Sequence, residues 1–315
     1  MSVVAGFFLL GFIARLCRSD VQFPRELYQS LTLFLLIAIG LKGGIALQAH
    51  ASPALGLQAV AVVALGLVLP LIAFPLLSHF GRLSRLDSAS IAAHYGSVSV
   101  GTYAVAVAVL EAQGIAYEAY FPLFVVLLEM PAIAVGLALA GRERGDMKSS
   151  ELLHEIFCNQ GVFLMVGAML IGYFGGTAVD SIMPMFGTLF QGVLALFLLE
   201  MGLVAASRLP EIRTLAPFIA SFGVLMPLVG ATFGGLFAFA LGLSAGGVAL
   251  LATLGGSASY IAVPAVMRQA LPRANHGLSI AASLAITFPF NVLVGIPLYI
   301  GAADWLHGFS NGGVI

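Results

Sequence analysis

Charge is scarce in this chain. Only 9% of its 315 residues are Asp, Glu, Lys or Arg, against about 25% in a soluble globular domain. Hydrophobic residues make up 60%, which leaves no room for a soluble domain anywhere in the sequence. Cysteine is nearly absent too. Cys17 and Cys158 fall near span ends expected in the cytoplasm. Neither spacing suits a metal site, and a reducing compartment disfavours a disulfide. The net charge of −1 offers nothing to a nucleic acid. The chain also lacks an aspartate-rich metal motif, paired catalytic carboxylates and a nucleophile–base pair. It reads as no enzyme, with no cofactor and no transition metal.

What is present is apolar sequence in runs of about 20 residues, enough to cross a hydrocarbon core of about 30 Å. Ten spans are read at 2–16, 27–47, 55–78, 88–111, 118–141, 153–173, 184–206, 214–240, 246–267 and 277–302. The first is a short span and not a secretory leader, because it has no basic start and no small-residue cleavage site. Arg15, Arg18, Arg25, Arg82, Arg85, Arg142, Arg144, Lys148, Arg208, Arg213, Arg268 and Arg273 all fall in loops that follow odd-numbered spans. The alternate loops and both termini carry no Lys or Arg. Basic loops stay in the cytoplasm, so both termini of this multi-pass protein are expected outside.

The first half returns in the second about 160 residues later. Leu33-Phe34-Leu35-Leu36 with Gly40-Leu41 reappears as Leu196-Phe197-Leu198-Leu199 with Gly202-Leu203. The run Gly66 to Pro70 reappears as Gly223 to Pro227, and Gly96-Ser97-Val98-Ser99 as Gly256-Ser257-Ala258-Ser259. Phe121-Pro122 matches Phe288-Pro289, and Gly6 and Gly11 match Gly167 and Gly172. The halves are 1–141 and 152–303, with a polar linker, 142–151, and an external tail, 304–315. A repeat with an odd number of spans must enter the second time from the opposite side. The expected fold class is an all-α integral membrane protein, ten helices in two inverted five-helix repeats. In that plan the substrate sits at the repeat interface.

Spans four and nine carry the clusters that matter most. Glycine holds a helix poorly, and serine or threonine competes for backbone hydrogen bonds. Breaks are expected at Gly96–Thr102 and Gly255–Tyr260. Each break offers a half-helix N-terminus with roughly +0.5 charge. Two of them converging make an anion site. Exposed carbonyls near Gly96 and Gly255, with serine hydroxyls, suit a hard cation such as Na+. The plainer alternative is close packing through small residues, but duplication at equivalent positions favours a site.

Isolated polar residues complete the candidates. Glu129, near the middle of span five, would coordinate Na+, relay protons or sit neutral against a neighbour. Asn291 is a cation ligand or, by preference, helix glue. Lys42 and Glu200 can snorkel. His94 reads as a packed histidine, and Ser279, Ser283 and Thr287 as bonding their own backbone. The Phe-rich stretches read as lipid-facing.

These residues carry a resemblance. Gly40-Leu41-Lys42-Gly43-Gly44, Gly96 through Thr102, Leu110-Glu111, Tyr117-Glu118-Ala119, Glu129-Met130-Pro131-Ala132, Ser207-Arg208, Glu211-Ile212-Arg213, and Pro272 with Ala274-Asn275 resemble the bacterial sodium-dependent bicarbonate transporters. The likeness is to the cyanobacterial type that serves carbon concentration. The resemblance spans nearly the whole chain. It implies a core and a gate domain as in bile-acid symporters, a homotrimer in the bacterial inner (plasma) membrane, and Na+ as coupling ion. It implies bicarbonate held by Ser97, Ser99, Gly101 and Thr102, and by Gly256, Ser257, Ala258, Ser259 and the adjoining Tyr260. The coupling ion would use Gly96, Ser97, Thr102, Glu129, Gly255, Ser257 and Asn291. Three departures stand out: Tyr260 and Glu129 replace aspartates of the cyanobacterial pattern, and the linker is short. A PII-like regulatory partner goes with the longer linker. The expected function is sodium-coupled import of bicarbonate by alternating access. The alternatives are a sodium- or proton-coupled carrier of another small anion, such as a monocarboxylate, and a non-transporting membrane sensor.

Overall fold

The computed structural model describes residues 3–143, 154, 158–210 and 217–310, and among them it is helical without strands. The first half runs α1 (Val3–Leu16), α2 (Arg25–His50), α3 (Pro53–Pro75), α4 (Arg85–Gly96), α5 (Val100–Gln113) and α6 (Phe121–Ala140). The second runs α7 (Gln160–Phe174), α8 (Phe190–Ser207), α9 (Pro217–Ala240), α10 (Ala245–Gly255) and α11 (Ala262–Ala270), then α12 (His276–Phe309). Seven segments are long and apolar enough to cross a membrane, counting Arg85–Gln113 as one; Val3–Leu16, Gln160–Phe174 and Ala245–Gly255 are apolar but shorter. Helix continues through Asp304–Ser310, in the stretch expected as tail. Linker residues 144–151, tail residues 311–315 and the loop 211–216 lie outside the described residues.

Local chemistry fixes where these helices begin. Ser52, Ser84, Asn159, Ser244 and Asn275 each accept a backbone N–H from the first turn that follows, at 3.0–3.3 Å. Gly114, at φ 67°, supplies the left-handed residue that ends α5.

Packing separates two groups of helices. α1 lies along α8, α2 lies along α7, and α2 also meets α8. In the other group α3, α4 and α6 pack on one another, as do α9, α10 and α12. Backbones meet in the first group because side chains are missing there. A Cβ on Gly11 would strike the Leu199 carbonyl, and one on Gly202 the Phe8 carbonyl. The phenylalanines correct an expectation. Phe80, Phe163 and Phe174 face outward, but Phe8, Phe121, Phe124, Phe190, Phe197 and Phe288 are fully buried. Of these rings, Phe197 lies against the face that Gly101 leaves open.

Polar clasps tie the ends. At one end Asp87, opening α4, accepts the Asn275 N–H ahead of α12 at 2.6 Å. Arg85 donates to the Leu139 carbonyl and Arg273 to that of Glu143. At the other end Glu118, ahead of α6, accepts from the Ser244 N–H at 2.7 Å and from its hydroxyl at 3.2 Å, where α10 begins. Replacing Glu118 by Ala orphans that N–H, and a lost charge-assisted bond costs roughly 1.5–3 kcal/mol. We expect Glu118→Ala to lower the unfolding midpoint in detergent; Glu118→Gln, which keeps an acceptor, should recover most of the loss.

Candidate functional site

Both expected interruptions are present. α4 stops at Gly96 and α5 starts at Val100; α10 stops at Gly255 and α11 starts at Ala262. Each is wedged by the helix before it. A Cβ on Gly96 would meet the Pro70 ring of α3 and the Ala132 methyl of α6, and one on Gly256 would meet the Pro227 carbonyl of α9. Serines restart the helices. Ser99 Oγ accepts the Thr102 N–H at 3.1 Å, and Ser259 Oγ accepts that of Val263 at 3.4 Å.

The breaks meet and serve each other. The Ser99 N–H donates to Ser257 Oγ at 3.0 Å, and that hydroxyl donates to the Leu254 carbonyl at 2.8 Å. The Ser259 N–H donates to the His94 carbonyl at 2.9 Å. His94 Nδ1 donates to the Ser259 carbonyl at 2.6 Å. Ser97, Ser99, Ser257 and Ser259 are all at most 3% exposed. Buried backbone polar groups demand partners, and here one break supplies them to the other. Gly101, Thr102, Gly255, Gly256, Ala258 and Tyr260 fall within this same locus.

Neighbouring helices satisfy what remains. Asn291 of α12 donates to the Gly256 carbonyl at 2.8 Å and accepts from Tyr299 Oη at 2.8 Å. Pro227 has no N–H, which frees the Gly223 carbonyl one turn back. Thr287 Oγ1 donates to that carbonyl at 2.6 Å and so must accept from Tyr95 Oη, 2.7 Å away. Thr287 therefore bonds across helices, as does Ser279 with Ser90, while Ser283 bonds the carbonyl of Ser279 on its own helix.

Polar atoms are left over beside the crossing. Ser97 Oγ, His94 Nε2, Glu129 Oε2 and Tyr260 Oη are buried with no hydrogen-bond partner among the described residues. Glu129 is one turn from Ala132, where α6 touches the first break. Gly101 is crowded: a Cβ there would sit 2.5 Å from Tyr260 Oη and 2.9 Å from the Phe197 ring. Phe197 of α8 in turn stacks on Tyr28 of α2 at 5.9 Å.

The arrangement brings helix N-termini, buried serine, tyrosine and carbonyl oxygens and the Glu129 carboxyl to one buried place. A family model for the Na+-dependent bicarbonate transporter superfamily matches residues 3–304. The chain belongs to that superfamily. It is a multi-pass membrane protein of a transporter family. No curated protein matches it significantly.

Within this superfamily member, the sequence pointed to the serine clusters and Asn291 but missed Tyr299, Phe197 and Tyr28. A tyrosine two turns beyond Asn291 was the only trace of the first; aromatic rings in apolar helices gave no trace of the others. Asn291→Leu would strip partners from the Gly256 carbonyl and the Tyr299 hydroxyl. Each buried orphan costs roughly 1–3 kcal/mol, so the variant should unfold at clearly lower temperature in detergent, and Tyr299→Phe should cost less.

Proposed function

We propose that this protein imports bicarbonate, or a similarly small anion, together with Na+ by alternating access. The observation that carries the reading is the buried crossing, where the α5 and α11 starts lie beside unpartnered oxygens. The anion would sit at the two positive helix ends, against Ser97, Ser99, Gly101, Thr102, Gly256, Ser257, Ala258, Ser259 and Tyr260. Na+ would use the carbonyls and hydroxyls of Gly96, Ser97, Thr102, Gly255 and Ser257, with Glu129 and the Asn291 oxygen. Adjacent opposite charges would each raise the other's affinity.

Ten spans in two inverted halves, 1–141 and 152–303, underlie this reading. Exchange of the halves supports it: α1 on α8 becomes α7 on α2, and α3–α4–α6 becomes α9–α10–α12. The Glu118–Ser244 clasp likewise exchanges with the Asn275–Asp87 clasp at the opposite end. The group α1, α2, α7 and α8 would be the gate and the rest the moving core. Two cavities favour a path through the crossing. One, of about 340 Å³, runs from Arg25 and Arg268 to Tyr260. The other, of about 390 Å³, runs from His50 and Tyr117 to Tyr103, on the first turn of α5. Arginine-rich ends facing the cytoplasm put both termini outside. The resemblance adds a bacterial inner membrane and a homotrimer.

Labelled bicarbonate uptake into proteoliposomes should require an inward Na+ gradient; equal uptake without one removes the coupling. Acetate or pyruvate competing as well as bicarbonate would transfer the reading to a monocarboxylate carrier. Ser99→Ala, which costs only about 1 kcal/mol of capping and so should still purify folded, should cut uptake sharply. The unpartnered Glu129 oxygen favours a second reading, proton coupling. Glu129→Gln should raise the Na+ needed for half-maximal uptake about tenfold under sodium coupling. Sodium-independent uptake that follows a pH gradient and vanishes in this variant would decide for protons.

A further inference from the structure

Lys42 breaks the pattern of this chain's cations, which otherwise gather in the loops between spans. It lies on the fifth turn of α2 and is partly buried. Its Nζ sits 4.6 Å from the centre of the Phe190 ring. It lines the cavity that ends on Tyr103, and no Asp or Glu lines that cavity. The carboxylates nearest in the chain to this region are engaged elsewhere: Glu118 accepts from Ser244, and Tyr117 Oη and Gln191 Nε2 donate to the two oxygens of Glu111 at 3.1 Å each. A cation at membrane depth is costly and persists where it pairs or faces a polar cavity. An aromatic face compensates only part of a charge. The remaining polar groups on the cavity wall are His50, Tyr103 and Tyr117. Tyr117 gives its one proton to Glu111, which leaves Tyr103 and Lys42 to donate to an anion.

We propose that Lys42 and the hydroxyl of Tyr103 form a separate binding site for a small monovalent oxyanion. It is a station between the Lys42 end of the protein and the helix crossing. It rests on the reading of this protein as an anion carrier and adds a residue that selects for charge before the anion reaches the serines. Phe190 packs against the ammonium at the cavity wall, no carboxylate lines that wall, and Tyr117 and Gln191 engage both oxygens of the nearby Glu111. The site works by raising the local anion concentration beside Tyr103, one turn from the Ser99 cap, so it acts on apparent affinity more than on turnover.

Two experiments test this. In proteoliposomes at saturating Na+, Lys42→Met should raise the KM for bicarbonate about tenfold, more than it lowers the maximal rate, while Lys42→Arg stays near the parent. A maximal rate that falls with KM unchanged would make Lys42 a packing residue and overturn the proposal, as would an unchanged KM. The second experiment needs no transport. Lys42 and Lys148 are the only lysines in the chain, so amine labelling read by mass spectrometry resolves them. Bicarbonate should slow labelling of Lys42 and leave Lys148 unaffected; protection of neither, or of both equally, counts against the site. Protection of Lys42 by acetate in a protein that moves no bicarbonate would keep the site and remove the bicarbonate reading instead.

Discussion

The constraint on which this structure depends is the need to satisfy broken backbone in a place without water. A helix interrupted at mid-membrane exposes N–H and C=O groups that lipid cannot serve. Here the first break leans on the second through the Ser99 N–H and Ser257 Oγ, and the second leans on the first through the Ser259 N–H and the His94 carbonyl. Neither α4–α5 nor α10–α11 could end where it does in isolation. The pairing is reciprocal, so it ties the two halves together at their centres, while the carboxylate clasps at Asp87 and Glu118 tie them at opposite ends. Helices α4 to α6 and α10 to α12 are thereby joined at three levels, which is what a body that moves as a unit requires.

The contrast with the other helices follows from chemistry. α1, α2, α7 and α8 meet through glycine and aromatic surfaces, with carbonyls of one helix against Cα atoms of the next. Against the hydrogen-bonded unit they present rings, such as Phe197 beside Gly101. Apolar faces can slide with little directional cost, whereas a hydrogen bond lost in a dry interior costs roughly 1–3 kcal/mol. The boundary between the two groups is mostly packed, with the exposed Gln191–Glu111 bond crossing it at one end, so relative motion there breaks few hydrogen bonds.

Much of this was legible in the sequence, and the reason is duplication. Gly96-Ser97-Val98-Ser99 alone could have been a packing surface; its return as Gly256-Ser257-Ala258-Ser259 marked a matched interruption. The caps were not read: the sequence marked the interruption, and that Ser99 accepts the Thr102 N–H came only with the structure. What could not be read is the identity of partners. That Thr287 serves the carbonyl freed by Pro227, and that Asn291 clamps Gly256, depends on how helices rotate against each other. Thr287 was expected to bond its own helix, since that is the commoner fate of a membrane threonine. Buried rings misled for a related reason. Period and composition do not distinguish a phenylalanine facing lipid from one facing another helix, and Phe8 and Phe288, in edge contact at 5.8 Å, are of the second kind.

The two breaks, although copies, have not been finished alike. In the second, Ser257, Ser259 and Asn291 are all engaged, and Tyr260 Oη is the one unpartnered side-chain atom among the described residues of that segment. Around the first, His94 Nε2, Ser97 Oγ and Glu129 Oε2 are all unpartnered. Buried polar groups left open are costly, and a fold that closed one copy so fully had the means to close the other. On the proposed reading the asymmetry divides the labour. The second break is the braced half, held by Asn291 and Tyr299. The first break, with Glu129 beside it, keeps the free oxygens, so within the proposed Na+ ligand set the first-break members would have the lone pairs to spare. The anion then lies between that cation and the braced helix end, where it draws on both charges at once.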